Sequence, residues 1–192
     1  LDNGGKNFAG GIGTESNPYL LSTKEHMVNI EKTAGYFKLI KNITIEDEVS
    51  LRGKIWILDL NGYSITLEYA EGVVPKNGGA LYVAGSGVNV TINDSSEAKT
   101  GSVIGSDKNY KDLDKVTCAV RVGNLGKLTI NGGNFYGKSD ETSCIFVMTS
   151  TATSTKATVV INGGYFETAT PSNGKYFVLN HQDSATAGCT IT

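Results

Sequence analysis

Four side chains suited to sugar recognition recur at one position of a repeated strand pattern. They are Tyr82, Arg121, Phe146 and Phe177. Each directly precedes a valine, so valines that face a core place these four side chains on the outer surface. Exposed aromatic rings often mark a binding surface, and an arginine can bond sugar hydroxyls or carboxylates. We therefore predict a ligand-binding column, with two alternatives: loops 149–157 and 180–188 cover it, or the facing is wrong by one residue.

Catalytic carboxylates are not indicated by the sequence. A glycoside hydrolase needs two of them about 5–10 Å apart. The outward column of another repeated strand contains one acid, Asp59, and Asp94 has glycines at the equivalent positions of other repeats. A lyase needs an acidic calcium site with a base. Lys127 and Arg121 are possible bases, but no acidic cluster occupies a matching position of the repeat. We assign no catalytic residue and keep an enzyme as an alternative.

The sequence contains only weak matches to known metal-binding or cofactor-binding motifs. The segment 107–114 alternates aspartates with lysines, but it matches no EF-hand and no glycine-aspartate calcium repeat. His26 and His181 fall in different repeats, and no cysteine or histidine has zinc-ligand spacing. We predict no cofactor and no metal site, with calcium at 107–114 as the alternative.

The chain has three cysteines, too few for a disulfide scaffold. If Val122 aligns with Val147, alternation points Cys118 inward and Cys144 outward, which disfavours a bond between them. Cys189 is expected to face the core. We predict buried free thiols that act as small hydrophobic side chains.

An internal repeat organises the chain, with a period near about thirty residues. Its markers are Leu60, Ile92, Ile130, Ile161 and Ile191. Apolar residues alternate before each marker, which predicts a strand with one buried face. An asparagine follows four of the markers at the start of a turn. These asparagines are Asn61, Asn93, Asn131 and Asn162. We predict that they stack as a ladder of hydrogen-bonded amides.

Two further strand sets flank the markers. The second set comprises 80–83, 119–122, 144–147 and 175–178. The third carries Ile65, Val103, Phe135 and Phe166. Three short strands in each repeat predict an all-β fold, a single-stranded right-handed parallel β-helix whose strands stack about 4.8 Å apart.

The N-terminal region differs from the repeats and predicts a cap. Ser22 to Glu25 has a capping-box pattern, and a short helix is expected over about residues 23–32. We place this cap at 1–35 and the β-helix, of about five coils, at 36–192. The last coil is incomplete, which we interpret as a fragment or as an end that a further domain or subunit covers.

The composition of the chain limits the classes of partner that we expect it to bind. The formal net charge is −2, with 19% charged residues, so no basic face for nucleic acid is expected. The apolar runs are too short to span a bilayer. Abundant glycine with only 3 prolines is typical of many tight turns.

The opening of the chain, Gly10-Gly-Ile-Gly-Thr14 followed by Asn17-Pro-Tyr-Leu-Leu-Ser-Thr23, resembles that of many secreted bacterial surface proteins. The segments Leu58-Asp-Leu-Asn-Gly-Tyr63 and Ile-Asn-Gly-Gly-x-Phe are similar to the repeats of pectate-lyase-like right-handed β-helix proteins from gut bacteria. The resemblance implies secretion to the bacterial cell surface. It also implies adhesins, carbohydrate-binding proteins or lipoproteins more often than polysaccharide lyases or hydrolases.

We therefore expect a non-catalytic, secreted or cell-surface protein that binds a polysaccharide or a host glycan. One alternative is a polysaccharide lyase or glycoside hydrolase fragment. The other is a structural or assembly module of a larger surface or phage-tail-like protein. An exposed aromatic column would indicate the binding protein. A groove with paired carboxylates, or a calcium site with a base, would indicate the enzyme. End-to-end docking would indicate the assembly module.

Overall fold

The structure is a computed structural model. It describes residues 7–73, 75, 78–108, 117–138, 143–148, 156–169, 177–182 and 189–191. Side-chain surroundings are described in all of these ranges except at 177, 178, 180–182 and 189–191. Statements about absence below refer to these residues alone.

Short strands follow one another in groups of three. After β1 (Tyr19–Leu21) and helix α1 (Lys24–Ile30), the first coil contains β2 (Gly35–Leu39), β3 (Ile43–Ile45) and β4 (Val49–Leu51). The second contains β5 (Ile55–Asp59), β6 (Ser64–Leu67) and β7 (Gly79–Val83). The third contains β8 (Asn89–Asn93), β9 (Ser102–Ile104) and β10 (Cys118–Val122). The fourth contains β11 (Lys127–Ile130), β12 (Asn134–Gly137) and β13 (Ser143–Met148). The fifth contains β14 (Ala157–Ile161), β15 (Tyr165–Thr168) and β16 (Phe177–Gln182), and β17 (Cys189–Ile191) comes next.

Equivalent strands of successive coils pair in parallel and form three sheets. Sheet A has the order β1-β2-β5-β8-β11-β14-β17, sheet B the order β3-β6-β9-β12-β15 and sheet C the order β4-β7-β10-β13-β16. The chain visits A, B and C in turn, which confirms the predicted parallel β-helix. The right-handed form follows the rule for parallel crossovers, which have that hand in about 98% of cases.

Inward side chains stack from coil to coil into one core. On sheet B the stack consists of Ile43, Ile65, Val103, Phe135 and Phe166. The rings of Phe135 and Phe166 are stacked with centroids 5.2 Å apart. Each large side chain buried in this way contributes about 1.5–3 kcal/mol. The repeat therefore stabilises the fold because each coil buries the apolar face of its neighbours.

The predicted register of sheet A was wrong at two junctions. Ile92 pairs with Leu58 rather than Leu60, and Ile191 pairs with Val159 rather than Ile161. Both errors are slips of two residues, so every side chain keeps its predicted face. The apolar alternation determines the face of a strand but does not distinguish registers that differ by one pleat.

The register of the last strand of sheet C was also wrong, and by an odd number. Val147 pairs with His181, whereas the sequence predicted Val178. Residues 177–179 are three consecutive apolar residues, so alternation does not decide which of them faces inward. A slip of three exchanges the two faces of the strand.

Helix α1 packs against β3 and β4 of the first coil. Its N-cap is Thr23, whose Oγ1 accepts a hydrogen bond of 3.3 Å from the backbone N of His26, so the predicted cap at Ser22 was wrong by one residue. Met27 and Ile30 are buried. The indole Nε1 of Trp56 donates 2.9 Å to the carbonyl of Ile30, which ties the helix end to β5.

Candidate functional site

Three of the four residues of the predicted binding column are neighbours. Tyr82, Arg121 and Phe146 lie side by side on consecutive strands of sheet C. Phe177 does not continue the column, because Asn180 is the partner of Phe146 and Phe177 pairs with Ser143. The structure does not describe the surroundings of the Phe177 side chain.

Arginine side chains lie over both aromatic rings in the described part of the column. Phe146 is only 3% exposed, and the guanidinium carbon of Arg121 lies 5.1 Å from its ring centroid. Arg52 sits over the ring of Tyr82 in the same way, at 4.8 Å. Neighbouring side chains on a parallel sheet are about 4.8 Å apart, so a long arginine reaches the next ring. The prediction of an exposed aromatic row on sheet C is therefore wrong for Phe146.

The asparagine ladder forms over three coils. Asn131 donates from Nδ2 to Oδ1 of Asn93 at 2.8 Å, and Asn162 donates in the same way to Asn131 at 2.7 Å. Asn61 is not part of the ladder, because its Nδ2 donates to the carbonyl of Leu39 at 2.9 Å. Asp59 occupies the ladder position beside Asn93.

Asp59 is fully engaged by hydrogen bonds and an ion pair. Its Oδ1 accepts from the backbone N of Asn61 at 3.0 Å and of Ser95 at 2.9 Å. Its Oδ2 accepts from Ser95 Oγ at 2.6 Å and lies 3.3 Å from Lys38 Nζ. A carboxylate has about four acceptor sites, so Asp59 has little capacity left to take a proton from a substrate. It anchors the turn and is a poor general base.

Asp94 has a similar anchoring role. Its Oδ1 accepts from the backbone N of Gly62 at 2.9 Å and from Ser96 Oγ at 2.8 Å, and its Oδ2 accepts from the backbone N of Gly101 at 2.8 Å. Burial raises the pKa of this carboxyl, but the hydrogen bonds from Ser96, Gly101 and Gly62 outweigh burial and lower the pKa overall. A Cβ on Gly101 would lie 2.6 Å from that of Leu60, so the segment requires glycine there.

The thiols and histidines do not form a metal site in the described part of the chain. No group of three or more His, Cys, Asp or Glu side chains there is arranged to hold a metal ion. Cys118 and Cys144 are free and buried, and burial raises their pKa values to about 12 and about 11. Most of the segment 107–114, and the side chains of His181 and Cys189, lie outside the described parts, so calcium binding there stays untested.

A groove of about 560 Å³ lies between α1 and the first coil. Several carboxylates line it, yet they are used within the fold. Glu31 Oε1 accepts from the backbone N of Ser50 at 2.7 Å, and Glu48 Oε2 accepts from the backbone N of Gly78 at 3.2 Å. Lys24 and Glu46 form an ion pair at 2.9 Å. The contacts of Lys24 and Glu31 join α1 and its C-cap residue to the first coil, and the contact of Glu48 joins the first coil to the second.

The outer face of sheet B presents a pair of neighbouring aromatic side chains. Tyr165 is 53% exposed, and its ring centroid lies 6.2 Å from that of Tyr136, with an angle of 56° between the rings. The phenol of Tyr165 donates 2.8 Å to Glu167 Oε2, which orients the ring. Lys138 Nζ lies 5.3 Å from the ring centroid of Tyr136. In the sequence Tyr136 directly follows Phe135 and Tyr165 directly precedes Phe166, so both alternate with inward residues, but the predicted binding column does not include them.

Next to the tyrosine pair is a groove of about 550 Å³, the sheet B groove. Its lining residues are Thr66, Leu67, Glu68, Tyr69, Ile104, Gly105, Asp107, Lys108 and Lys138. Lys108 Nζ donates 2.6 Å to the carbonyl of Tyr69, which fixes one wall. Together, the groove and the tyrosine pair combine aromatic rings with hydroxyl, ammonium and carboxylate groups. Groups of these kinds can stack on a ring and form hydrogen bonds with hydroxyl groups.

Comparisons with known proteins identify a distant relative and no family. No family model matches the chain, and no solved structure matches it. A Gly-rich protein of Evansella cellulosilytica, whose name assigns it to a membrane, is 27% identical over 138 residues. The match covers 59% of this chain and 16% of the relative, so the chain spans about a sixth of that protein's length. No helix in the described ranges is long and apolar enough to cross a membrane.

Proposed function

We propose that this chain is a non-catalytic carbohydrate-binding β-helix that is secreted to a bacterial cell surface. The observation that carries the proposal is the exposed Tyr165 beside Tyr136 at the end of the sheet B groove. The ligand is a polysaccharide or a host glycan. Side chains of this kind on a sheet form a binding surface whose backbone needs no reordering when a ligand binds.

Aromatic stacking explains why the tyrosines suit sugars. The face of an aromatic ring is negative, and the C–H groups on one side of a sugar ring are weakly positive. The phenol of Tyr165 is held by Glu167, so its ring is already oriented when a ligand arrives. Sugar hydroxyls then meet the charged and hydroxyl groups of the groove, where hydrogen bonds to charged groups are the strong ones.

The surface location rests on the resemblance to secreted bacterial pectate-lyase-like β-helix proteins. The name of the Evansella cellulosilytica relative assigns that protein to a membrane. The proposal of a pectate-lyase-like relationship concerns the coil architecture and does not extend to lyase chemistry, since one fold supports many functions.

An enzyme is the second candidate, and one observation favours it. Glu68 and Asp107 line the same groove, so two carboxylates lie where a sugar chain would bind. A glycoside hydrolase uses such a pair as acid and base or nucleophile. Release of reducing ends from a bound polysaccharide, abolished by Glu68→Gln and Asp107→Asn, would replace the non-catalytic proposal with this one.

An assembly module is the third candidate. Ile161, Phe166 and Leu179 face the core of the fifth coil but are only partly buried, whereas Ile130 and Phe135 one coil earlier are fully buried. A partner packed on this end would bury them further. Sedimentation of the purified chain at several concentrations tests this role, because self-association that Phe166→Ser abolishes would support it.

A glycan and polysaccharide array tests the main proposal. The chain and its Tyr165→Ala and Tyr136→Ala variants would be screened with calcium present and absent. Saturable binding to one glycan class that both variants weaken is the expected result. Tyr63→Ala is the matched control, because Tyr63 is also an exposed tyrosine but lies three coils away from Tyr165 along sheet B.

Tyr82→Ala distinguishes the two surfaces. If this variant loses binding and Tyr165→Ala keeps it, the ligand lies on sheet C and the proposed site is wrong. If neither the parent chain nor any variant binds a glycan, the carbohydrate-binding proposal itself is rejected.

A further inference from the structure

The outward residues of sheet B form a straight strip parallel to the coil axis. Thr66 pairs with Ile104, Ile104 with Tyr136, and Tyr136 with Glu167. The strip therefore has one residue on each of four successive strands. With about 4.8 Å between neighbouring strands, it is about 14 Å long from Thr66 to Glu167.

We propose that this strip binds a linear, uncharged glycan that lies along the coil axis over several sugar units. This inference rests on the proposed carbohydrate-binding function and specifies its ligand class. It makes two independent claims, one about the shape of the ligand and one about its charge.

The shape follows from the way the groove and the tyrosine pair are joined. Thr66 and Ile104 belong to the sheet B groove, and Tyr136 is the next residue in the same column. A single terminal sugar can occupy one end of this strip, but only a chain can occupy both. The angle of 56° between the tyrosine rings also favours two linked sugars, since one flat sugar cannot stack on both rings at once.

The charge follows from the side chains along the strip. Lys108 and Lys138 supply two positive charges, and Glu68, Asp107 and Glu167 supply three negative charges. The ammonium group of Lys108 already donates a hydrogen bond of 2.6 Å to the carbonyl of Tyr69. A polyuronate or a sulfated glycan would place anions beside three carboxylates, and like charges at an interface are unfavourable. An uncharged chain instead uses the carboxylates as acceptors for its hydroxyl groups.

The position of the far end of the strip allows a direct test of length. Thr66 is half-buried on β6, two strands before the strand that holds Tyr136. A bulky Thr66→Lys variant blocks this end and leaves the tyrosine pair unchanged. Thr44 is the matched control, because it precedes Thr66 in the same column on β3 and does not line the groove.

The experiment is calorimetric titration with uncharged cello-, manno- and chito-oligosaccharides of one to six units, and with polygalacturonate and its oligomers. We expect affinity to rise about tenfold or more between the two-unit and four-unit members of one uncharged series and then to level off. Thr66→Lys should remove that gain while the two-unit ligand binds as before, and Thr44→Lys should change neither. Melting temperature and circular dichroism confirm that each variant is folded.

The outcomes separate the inference from the proposed function. If a two-unit ligand binds as tightly as a six-unit ligand, or if Thr66→Lys leaves the longer ligands unaffected, the linear-chain claim is wrong although carbohydrate binding stands. Tighter binding of polygalacturonate than of every uncharged series overturns the charge claim. Absence of binding to every probe rejects the proposed function and the inference with it.

Discussion

Asn162 donates a hydrogen bond of 2.7 Å from Nδ2 to Oδ1 of Asn131 one coil below, and both side chains lie on the outside of the coil. The same bond joins Asn131 to Asn93 at 2.8 Å. Asn131 is thus both a donor and an acceptor, and its side chain connects three successive coils. The ladder therefore adds side-chain hydrogen bonds to the sheet bonds that already join these coils.

Replacing the central amide of the ladder should destabilise the fold. Asn131→Ala removes two hydrogen bonds, and we expect a loss of about 1–2 kcal/mol in the free energy of unfolding, since each bond is worth about 1 kcal/mol net. Urea unfolding measures the change. Asn89→Ala is the control, because Asn89 is exposed on the same sheet and lies outside the ladder. Equal losses in both variants would show that the ladder adds nothing.

Asp94 should make stability depend on acid pH. Its pKa is lowered in the folded chain, so the charged form is stabilised there relative to the unfolded chain. The contribution is complete above the ordinary aspartate pKa of about 3.9 and is lost as pH falls through the lower folded value. Asp94→Asn should cost about 1–3 kcal/mol at neutral pH, because the amide keeps only one acceptor oxygen, so either the Gly101 N–H or those of Gly62 and Ser96 lose their acceptor. It should also reduce the loss of stability in acid.

Chemical unfolding between pH 2 and 7 measures this effect. Asp107→Asn is the control, because Asp107 is an exposed aspartate. A parallel pH dependence of the parent chain and Asp94→Asn would show that another group is responsible.

His26 should make the cap sensitive to mild acid. Its Nδ1 accepts a hydrogen bond of 3.1 Å from the backbone N of Ser22, which requires the unprotonated nitrogen. Burial lowers the pKa of His26, and the nearby Glu25 opposes this only in part. Stability from this contact is therefore complete above the ordinary histidine pKa of about 6.5 and decreases as pH falls below it.

Hydrogen exchange at the Ser22 amide reports this change directly. Between pH 7 and 5, after correction for intrinsic exchange, protection should fall in the parent chain. In His26→Ala it should be low at both values. Protection that stays constant in the parent chain would show that His26 does not act as the acceptor in solution.

The buried thiols should resist alkylation. Burial raises the pKa values of Cys118 and Cys144 to about 12 and about 11, and the thiolate is the reactive form. At pH 8 we expect iodoacetamide to modify neither residue in the folded chain and both after denaturation. Peptide mass spectrometry identifies the modified positions. Rapid modification of Cys118 in the native state would contradict its burial.

The coil architecture was predictable because it depends on local patterns. Alternating apolar residues such as Leu128 and Ile130 assign the buried face of a strand, and Asn-Gly pairs mark the turns. The ladder positions Asn93, Asn131 and Asn162 follow from the same repeat. The prediction that Asn61 belongs to the ladder was wrong, because the register of sheet A shifts by two residues between β5 and β8. This shift leaves the apolar pattern unchanged.

The candidate site was less predictable, since it depends on contacts between coils. Alternation correctly places Phe146 on the outside of sheet C, but it does not show that Arg121 covers the ring. Tyr165 and Tyr136 follow the same alternation, and only the pairing of β12 with β15 brings their rings together.

The sequence by itself therefore determined the repeat, the strand faces and the parallel coil, because each follows from the order of apolar and turn residues within one coil. Only the tertiary structure decided which outward side chains meet, which are covered and where a groove opens. Those properties depend on the register between coils, and a shift of two residues changes every neighbour on a surface while the hydrophobic pattern stays the same.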